Sequence, residues 1–454
     1  MTGGGNAPLE AAVRPPSASP TPAATASPAD DALAVARTGL NLQPGLEDDG
    51  WARPPPVRLD DGSQVQLYKD GEALHAALEA IRNARRCIYL EVYIFANDDT
   101  GQAFKEALAE KAREGVAVYL IYDDFGSLTT PRRSFLRLRD AGVRIRVFHP
   151  LRPWECKFSW RPFNRDHRKL LVIDNEIAGL GGLNIGREYA GSWVAAGLRK
   201  LRQPLPEKYR IRPDEFFRDT AVGIRGPSAR VLANAFARTW NYLSHGGRIA
   251  RAMTLYPPPT GGRRPVALTV PVRGRRLACI ASVPTLDSPL RPTLHRLFAE
   301  ARRSIHLTMA YFAPDDDLIR ELCRAARRGV QVELMLPART DVPLLVPAAR
   351  SFYETLLQAG VRIYERQGAI LHAKTMVIDG RISVIGSTNL DYRSIEYNLE
   401  LSAVITSEEL GQQMVSLFEH DVRFARRISP AQWRRRPTRD RLVQWAVSRA
   451  RYLL

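Results

Sequence analysis

The sequence is poor in the features that mark disulfide-rich and membrane-spanning proteins. Only four cysteines occur in 454 residues. They are scattered without a CxxC pair, which excludes a disulfide scaffold and a cysteine-based zinc site. No stretch approaches the roughly 18 consecutive apolar residues that a spanning helix needs. The N-terminus also lacks the basic and apolar regions of a signal peptide. We therefore expect neither a membrane-spanning nor a conventionally secreted protein.

Acidic residues are too few to balance the basic ones. The chain carries 48 Asp and Glu against 66 Lys and Arg, a net charge of +18. Such an excess favours a polyanionic partner, which could be nucleic acid, an anionic membrane surface or a phosphate-bearing substrate. The hydrophobic share of 45% and the charged share of 25% are otherwise typical of a soluble globular protein.

The chain begins with little that could form a core. Residues 1–40 contain eleven Ala and six Pro but no aromatic residue, a composition that cannot offset the entropy of ordering. We predict a disordered tail and linker over residues 1–62. Alternating patterns follow, with a strand predicted over 88–95, a helix over 100–114 and a strand over 116–122. This β-α-β order indicates a sheet covered by helices.

The pattern then occurs a second time in the same chain. Residues 87–124 are similar in sequence to residues 304–341, and a repeat at such a separation indicates a duplicated domain. We predict an α/β protein of two homologous halves, each a mixed β-sheet flanked by helices. The expected divisions are a first half at 63–250, a linker at 251–276, a second half at 277–428 and a basic C-terminal segment at 429–454.

Each half contains the same motif, HxKxxxxD followed by GxxN. Alternate side chains of a strand share a face, so the His and Lys point the same way, and a turn after the Asp returns the Asn beside them. An imidazole, an ammonium and an amide that converge suit a phosphoryl group. The Asp residues are expected to support the turn by accepting backbone N–H groups. The motif residues are His167, Lys169, Asp174 and Asn184 in the first half, and His372, Lys374, Asp379 and Asn389 in the second.

This duplicated motif resembles the HKD signature of the phospholipase D superfamily. The stretches HRKLLVIDNEIAGLGGLNIGREYAG at 167–191 and LHAKTMVIDGRISVIGSTNLDYRSIEYNLE at 371–400 are most similar to those of bacterial cardiolipin synthases. Gly182 stands where the general signature has Ser. The sequence also lacks N-terminal membrane helices, which is typical of the shorter, peripheral type of synthase.

The resemblance implies a two-step mechanism without a metal ion or another cofactor, at an active site between the halves. One imidazole forms a phosphatidyl-histidine, and the other protonates the departing alcohol and deprotonates the incoming one. His167 is expected to be the nucleophile and His372 the acid and base, with the reverse left open by the near symmetry. Asp219 and Glu400 would orient the histidines, unless they are surface salt-bridge partners. The phosphate would be bound by Lys169, Asn184, Lys374, Ser387 and Asn389.

The implied reaction is phosphatidyl transfer between two phosphatidylglycerol molecules, which gives cardiolipin and glycerol. A phospholipase D-type hydrolase is the alternative, and a nucleic-acid phosphodiesterase is a more distant one. The expected partner is an anionic, phosphatidylglycerol-containing bilayer rather than nucleic acid. We expect a peripheral position on the cytoplasmic face of a bacterial membrane, with the oligomeric state left open.

Two segments are candidates for docking on that bilayer, because interfacial aromatic and basic residues suit a headgroup layer. The first is the loop at 149–167, whose aromatic residues could instead pack on the core. The second is the C-terminal segment, which carries Trp433 and Trp445 and could instead be a solvated tail. The loop's candidate anchors are Trp154, Phe158, Trp160 and Phe163.

Overall fold

A computed structural model of the chain describes residues 49–152, 154, 163–190, 216–244, 277–282 and 288–450. Most of the predicted tail and the predicted linker lie outside the described residues. Residues 49–62, which were predicted to be disordered, are an exception: Val57 and Leu59 are buried, and Val57–Arg58 pairs with the next strand. Val57 and Leu59 therefore add to the core beside the first sheet. The Pro-rich sequence around them gave no sign of this strand.

The first half contains an eight-stranded mixed sheet with the order β1-β2-β9-β7-β6-β3-β4-β5. Strands β3, β4 and β5 are parallel to one another, and the remaining pairs are antiparallel. The strands are β1 (Val57–Arg58), β2 (Gln64–Lys69), β3 (Cys87–Val92), β4 (Ala117–Asp123), β5 (Arg144–Phe148), β6 (Lys169–Ile173), β7 (Ile177–Gly181), β8 (Phe217–Arg218) and β9 (Thr220–Arg225). The helices are α1 (Glu72–Arg82), α2 (Asp99–Arg113), α3 (Arg132–Asp140), α4 (Arg187–Ala190) and α5 (Ala229–Ser244).

The second half repeats this arrangement with the order β10-β19-β17-β16-β11-β13-β14-β20. When the outermost strands β1 and β20 are set aside, the two orders correspond strand for strand. The strands are β10 (Leu277–Ser282), β11 (Ser304–Met309), β12 (Phe312–Ala313), β13 (Gln331–Pro337), β14 (Arg362–Arg366), β15 (Ile370–Leu371), β16 (Lys374–Ile378), β17 (Ile382–Gly386), β18 (Leu390–Asp391), β19 (Glu400–Thr406) and β20 (Ala425–Arg427). The helices are α6 (Leu290–Glu300), α7 (Asp316–Arg327), α8 (Leu345–Ser351), α9 (Tyr353–Gln358), α10 (Tyr392–Glu396), α11 (Glu408–Val422), α12 (Pro430–Arg434) and α13 (Thr438–Ala450).

Local sequence signals explain where these elements begin and end. The Asp98 carboxylate caps α2 by accepting the Gly101 N–H, and Gly115 ends the helix with a φ of 91°, a conformation that favours glycine. Strand β3 is buried on both faces along most of its length, as expected for a strand in the middle of a helix-covered sheet. The predicted α/β fold of two homologous halves is confirmed.

A shared apolar core joins the two halves. It combines residues of the first sheet, such as Leu170 and Val222, with residues of the second, such as Val377 and Leu401. Separate cores lie beneath the helices of each half. Because the sheets pack on each other, the ends of β6 and β16 can meet at one site. None of the described helices combines the length and the apolar composition that crossing a membrane requires.

Candidate active site

The two histidine-lysine pairs occupy equivalent positions in the two sheets. His167 lies two residues before Lys169, the first residue of β6, and His372 lies two residues before Lys374, the first residue of β16. All four residues are buried. Lys169 Nζ donates to the His167 carbonyl at 2.6 Å. Lys374 likewise contacts His372, so each lysine lies beside its histidine, as the spacing predicts.

Each histidine is held by the backbone of the other half. The His167 N–H donates to the Leu399 carbonyl at 2.9 Å, and the His372 N–H donates to the Arg218 carbonyl at 2.8 Å. The residue that follows each carbonyl is an acid, Glu400 or Asp219. The exchanged backbone contacts therefore bring each acid to the histidine of the opposite half.

The side chains complete this exchange. His167 Nδ1 lies 3.0 Å from Glu400 Oε1, and His372 Nδ1 lies 2.7 Å from Asp219 Oδ2. Both carboxylates have 0% exposure, so the alternative that they are surface salt-bridge partners is wrong. At His167 a carboxylate on Nδ1 fixes the imidazole tautomer and leaves Nε2 for chemistry. His372 Nδ1 lies 2.9 Å from Lys374 Nζ as well, so two groups hold that ring through Nδ1 and Nε2 is again left for chemistry.

Burial shifts the ionisation of the site. It lowers the pKa of His167 to about 4 and lowers the pKa of His372 well below its usual range. Burial likewise lowers the pKa of Lys169 to about 7 and of Lys374 to about 8. Each lysine lies in the field of the two site carboxylates, which oppose this effect. The free site therefore holds less positive charge than its residue types suggest.

The two carboxylates differ in their ionisation. Burial raises the pKa of Asp219 to about 7. Burial also acts to raise the pKa of Glu400, but the charge of His167 and its hydrogen bond outweigh it, and the pKa of Glu400 is lowered. Near neutral pH the Asp219–His372 pair can thus retain a proton, while Glu400 stays ionised.

We predict that kcat/KM falls as the pH rises through about 7 to 8. Lys169 and Lys374 lose their charge above their lowered pKa values of about 7 and about 8, and so lose attraction for a phosphate. Since kcat/KM reports the ionisation of the free enzyme, its dependence on pH with a water-soluble substrate measures this effect. A value that stays constant up to pH 10 would contradict the assigned pKa values.

The residue after β7 and its counterpart after β17 differ for a steric reason. The Ser387 hydroxyl donates to the Glu400 carboxylate and accepts the Leu401 N–H. Ser387 was predicted to bind phosphate. Because its hydroxyl already donates its hydrogen bond to Glu400, it positions that carboxylate instead. At Gly182, an added Cβ would lie 2.2 Å from Asp219 Oδ1. The glycine therefore makes room for the carboxylate that contacts His372.

Replacing Gly182 by Ala should lower kcat by about 10²-fold, because a displacement of about 1 Å in catalytic geometry has an effect of that size. Ser387→Ala is the matched control, since a side chain already fits there and only the two hydrogen bonds of the hydroxyl are lost, with an expected loss of about tenfold or less. Equal rates for the two variants would contradict the steric explanation.

Asp174 and Asp379 lie away from the histidines. They follow the far ends of β6 and β16, which is about 17 Å along each strand from the lysines. Both adopt positive φ, 55° and 56°. Their carboxylates accept backbone N–H groups of the loops before β3 and β11. They hold these loops in place, which agrees with the supporting role expected from the sequence, and they stand apart from the catalytic groups of the motif.

The two motif asparagines have different surroundings. Asn184 Oδ1 accepts the Ile94 N–H at 3.1 Å, and its Nδ2 donates to the Tyr189 hydroxyl at 2.9 Å. Asn389 Oδ1 is buried without a hydrogen-bond partner among the described residues. Binding of a phosphate oxygen would use the Nδ2 donor of either amide, so phosphate binding by both asparagines stays a prediction.

Aromatic residues that the sequence motif does not reveal enclose the histidines. The Tyr93 ring meets His167 edge-on at 5.1 Å, while Tyr189 and Phe217 lie 5.3 and 5.1 Å from His372. Tyr189 follows Asn184 by five residues and Phe217 precedes Asp219 by two, but neither spacing distinguishes them from ordinary core aromatics.

The sequence motif does not reveal Arg218 either. It is fully buried and forms an ion pair at 2.7 Å with Asp421 of the second half. Its carbonyl accepts the His372 N–H, and it directly precedes Asp219. Arg218 therefore links the halves at the position where the first half supplies its carboxylate.

Within the described part of the chain, one group of residues has the composition of a metal site. It consists of His295, Asp315 and Asp317 and includes none of the candidate active-site residues. Asp315 caps α7 by accepting the Leu318 N–H and lies 3.3 Å from Arg291. These contacts give Asp315 a structural role.

Two homologous halves, each with a buried His-x-Lys pair and each supplying the carboxylate for the other's histidine, define a duplicated enzyme of the phospholipase D-like class. Comparisons with known proteins agree with this class. The family model described as "Cardiolipin synthase, PLD-like domain" matches residues 77–192 and 294–422. The chain belongs to this cardiolipin synthase family of phospholipase D-like proteins.

Individual relatives extend this similarity over most of the chain. A cardiolipin synthase of Geobacillus thermodenitrificans is 35% identical over 397 residues, which cover 87% of this chain and 72% of that protein. Cardiolipin synthase 1 of Staphylococcus epidermidis is 32% identical over 84% of this chain and 72% of that protein. The crystal structure of phosphatidylserine synthase from Haemophilus influenzae has the same fold, with a TM-score of 0.60, 16% identity, and coverage of 88% of this chain and 97% of that one.

Proposed function

We propose that this protein is a cardiolipin synthase. It transfers the phosphatidyl group of one phosphatidylglycerol to a second phosphatidylglycerol and releases glycerol. The observation that carries the proposal is that each half supplies a carboxylate to the histidine of the other. Glu400 contacts His167, and Asp219 contacts His372. Two imidazoles, each oriented through Nδ1, can act in turn on one phosphorus atom.

In the first step His167 Nε2 attacks the phosphorus, and the bond to the glycerol oxygen breaks. His372 gives a proton to the departing glycerol, and a phosphatidyl-histidine remains. In the second step His372 takes the proton of the incoming hydroxyl, whose oxygen attacks the phosphorus and releases His167. The net reaction exchanges one alcohol for another at the same phosphate.

The different ionisation of the two acids supports this assignment of roles. Glu400, with its lowered pKa, is ionised and makes His167 a better nucleophile. The raised pKa of Asp219 allows its pair with His372 to hold the proton that glycerol needs. Lys169 and Lys374 neutralise the phosphate oxygens. Because the site is buried, the positive charge of a lysine attracts the phosphate more strongly than it would in water. Asn184 and Asn389 contribute amide hydrogen bonds.

The products formed from phosphatidylglycerol vesicles test the function. The purified protein is incubated with the vesicles, and lipids and glycerol are measured by mass spectrometry. Cardiolipin with an equal amount of glycerol supports the synthase. Phosphatidic acid with glycerol would instead identify a hydrolase, and cleavage of DNA without either lipid product would identify a nuclease.

The substrate lies in a bilayer, so we further propose that the protein docks peripherally on the cytoplasmic face of an anionic membrane. Exposed apolar residues in both predicted docking segments support this. Trp154 and Phe163 of the first segment are 80% and 70% exposed, and Leu442 and Trp445 of α13 are 67% and 61% exposed. Phe158 and Trp160 lie outside the described residues.

Trp433 does not belong to this surface, contrary to the sequence prediction. Its ring packs 4.9 Å from that of Tyr353 in the second half, and Arg436 covers it at 4.8 Å. Its large apolar ring is partly buried and packs against the core of the second half. Deleting residues 430–454 would therefore also damage the fold, and point variants test docking more cleanly.

The double variant Leu442→Ser/Trp445→Ser should bind phosphatidylglycerol vesicles at least about tenfold more weakly, because two side chains no longer enter the apolar layer. Co-sedimentation with vesicles measures the change. Leu136→Ser, at a leucine that is 52% exposed on α3, is the control. Unchanged binding of the double variant would exclude α13 from the docking surface.

A further inference from the structure

An apolar cavity of about 130 Å³ lies between α1 and the first sheet. Its wall consists of apolar residues and glycines, apart from Lys169, Glu91 and Tyr68. Lys169 belongs to the candidate active site. The cavity therefore borders the catalytic residues, although it lies beneath a helix that carries none of them.

The second half shows what fills the equivalent space. The sequence Ala-Arg-Arg precedes both β3 and β11, which aligns α1 with α6, and the strand pairings align β7 with β17. Four small residues of the first half then correspond to large, buried residues of the second. Ala73, Ala77, Ala80 and Gly179 correspond to Leu290, Leu294, Leu297 and Val384.

At these four positions the first half carries about twelve fewer side-chain carbon atoms than the second. Its buried Leu74 and Leu78, which align with polar residues of α6, fill only part of this space. Empty space in a core lowers stability, and an apolar cavity of about 150 Å³ can remain dry and bind a small apolar ligand. At Gly179 an added Cβ would meet no atom closer than 3.9 Å, so the site itself would accept a larger residue. The space is therefore available to a ligand.

The cavity extends from the active site along the sheet. Ile177, Gly179 and Gly181 line it from alternate positions of β7, which spans about 13 Å. Gly181 pairs with Ala221, two residues after Asp219, so this end of the cavity is the catalytic end. The alanines of α1 line the other side and are partly exposed.

We propose that this cavity binds an acyl chain of the phospholipid whose phosphodiester lies between His167 and His372. The proposal rests on the proposed function. The cavity is slightly smaller than the roughly 150 Å³ that hold a benzene molecule, so its apolar wall suits the first few carbons of the chain. Its single lysine lies at the end where the phosphate would be. The first half would thus hold the chain of one lipid in a site that the second half lacks.

The test is to fill the cavity with the second half's own residues, in the double variant Ala77→Leu/Gly179→Val. Rates of glycerol release are measured with dioleoyl phosphatidylglycerol in detergent micelles and with glycerophosphoglycerol, which is the same phosphodiester without acyl chains. The variant should lose at least about tenfold in kcat/KM for the dioleoyl lipid and less than about twofold for glycerophosphoglycerol, because only the lipid has a chain that enters the filled space. Its melting temperature should be unchanged or higher.

Glu79→Leu is the control, because it adds an apolar side chain to the opposite, solvent-facing side of α1, where Glu79 is 45% exposed. If the double variant does not fold, Ala80→Leu alone provides the same comparison. A change that is equal for both substrates, or absent for both, would overturn the acyl-chain proposal. A wild-type protein that forms no cardiolipin from the dioleoyl lipid would instead refute the proposed function.

Discussion

Alanine at either His167 or His372 should lower the rate of cardiolipin formation by about 10⁴-fold or more. Each imidazole has a role in both steps, and removing one member of such a set usually causes a loss of this size. The two variants should be about equally inactive although the residues lie in different halves of the chain. Initial rates with phosphatidylglycerol in micelles measure the effect.

His295→Ala is the matched control for the histidine variants, because His295 lies outside the site and should leave the rate unchanged. Addition of EDTA should also have no effect, since imidazoles and lysines carry out the proposed proton transfer and charge neutralisation. Substantial activity in either active-site variant, or a loss in EDTA that a divalent ion restores, would contradict the mechanism.

Replacing Glu400 by Gln should cause the second-largest effect, a loss of about 10³- to 10⁴-fold in kcat. Gln has a similar shape, but its amide cannot stabilise a charged imidazole, and it can favour the wrong tautomer of His167. Asp219→Asn should act in the same way on His372. These variants change charge with little change in volume, so kcat should fall far more than KM rises.

Glu408→Gln, at an exposed position in the first turn of α11, is the control for the carboxylate variants. The melting temperatures of all three variants should be compared with that of the wild-type protein. A carboxylate variant that loses stability but keeps its rate would show that Glu400 or Asp219 acts only in packing. Such a result would contradict its role as a positioning residue for the histidine.

The repeated fold and the His-Lys pairs could be predicted because both depend on local periodicity. A period of two places the side chains of His167 and Lys169 on one face, and the same pattern around His372 marks the second copy. Asp174 and Asp379 illustrate a limit of this reasoning. They belong to the same short motif, yet the strand carries them to its far end, where they bind backbone N–H groups.

The exchange of carboxylates between the halves could not be predicted from the sequence. Glu400 lies 233 residues from His167, and Asp219 lies 153 residues from His372. No local pattern specifies that each acid serves the distant histidine, because the packing of the two sheets decides it. The role of Ser387 is set within the second sheet, where β17 pairs with β19 and brings the hydroxyl to Glu400. Trp433 was misassigned because a tryptophan in a basic segment has the same local signature whether it packs on a core or on a membrane.

The covalent intermediate tests the central claim most directly. His372→Asn is incubated with a phosphatidyl ester of p-nitrophenol, whose leaving group departs without a proton, and the peptides are analysed by mass spectrometry under alkaline conditions. The account predicts a phosphatidyl adduct on the peptide that contains His167, and none in the reciprocal variant His167→Asn. An adduct on His372 in that reciprocal variant, with none on His167 in the first, would contradict the assignment of the nucleophile.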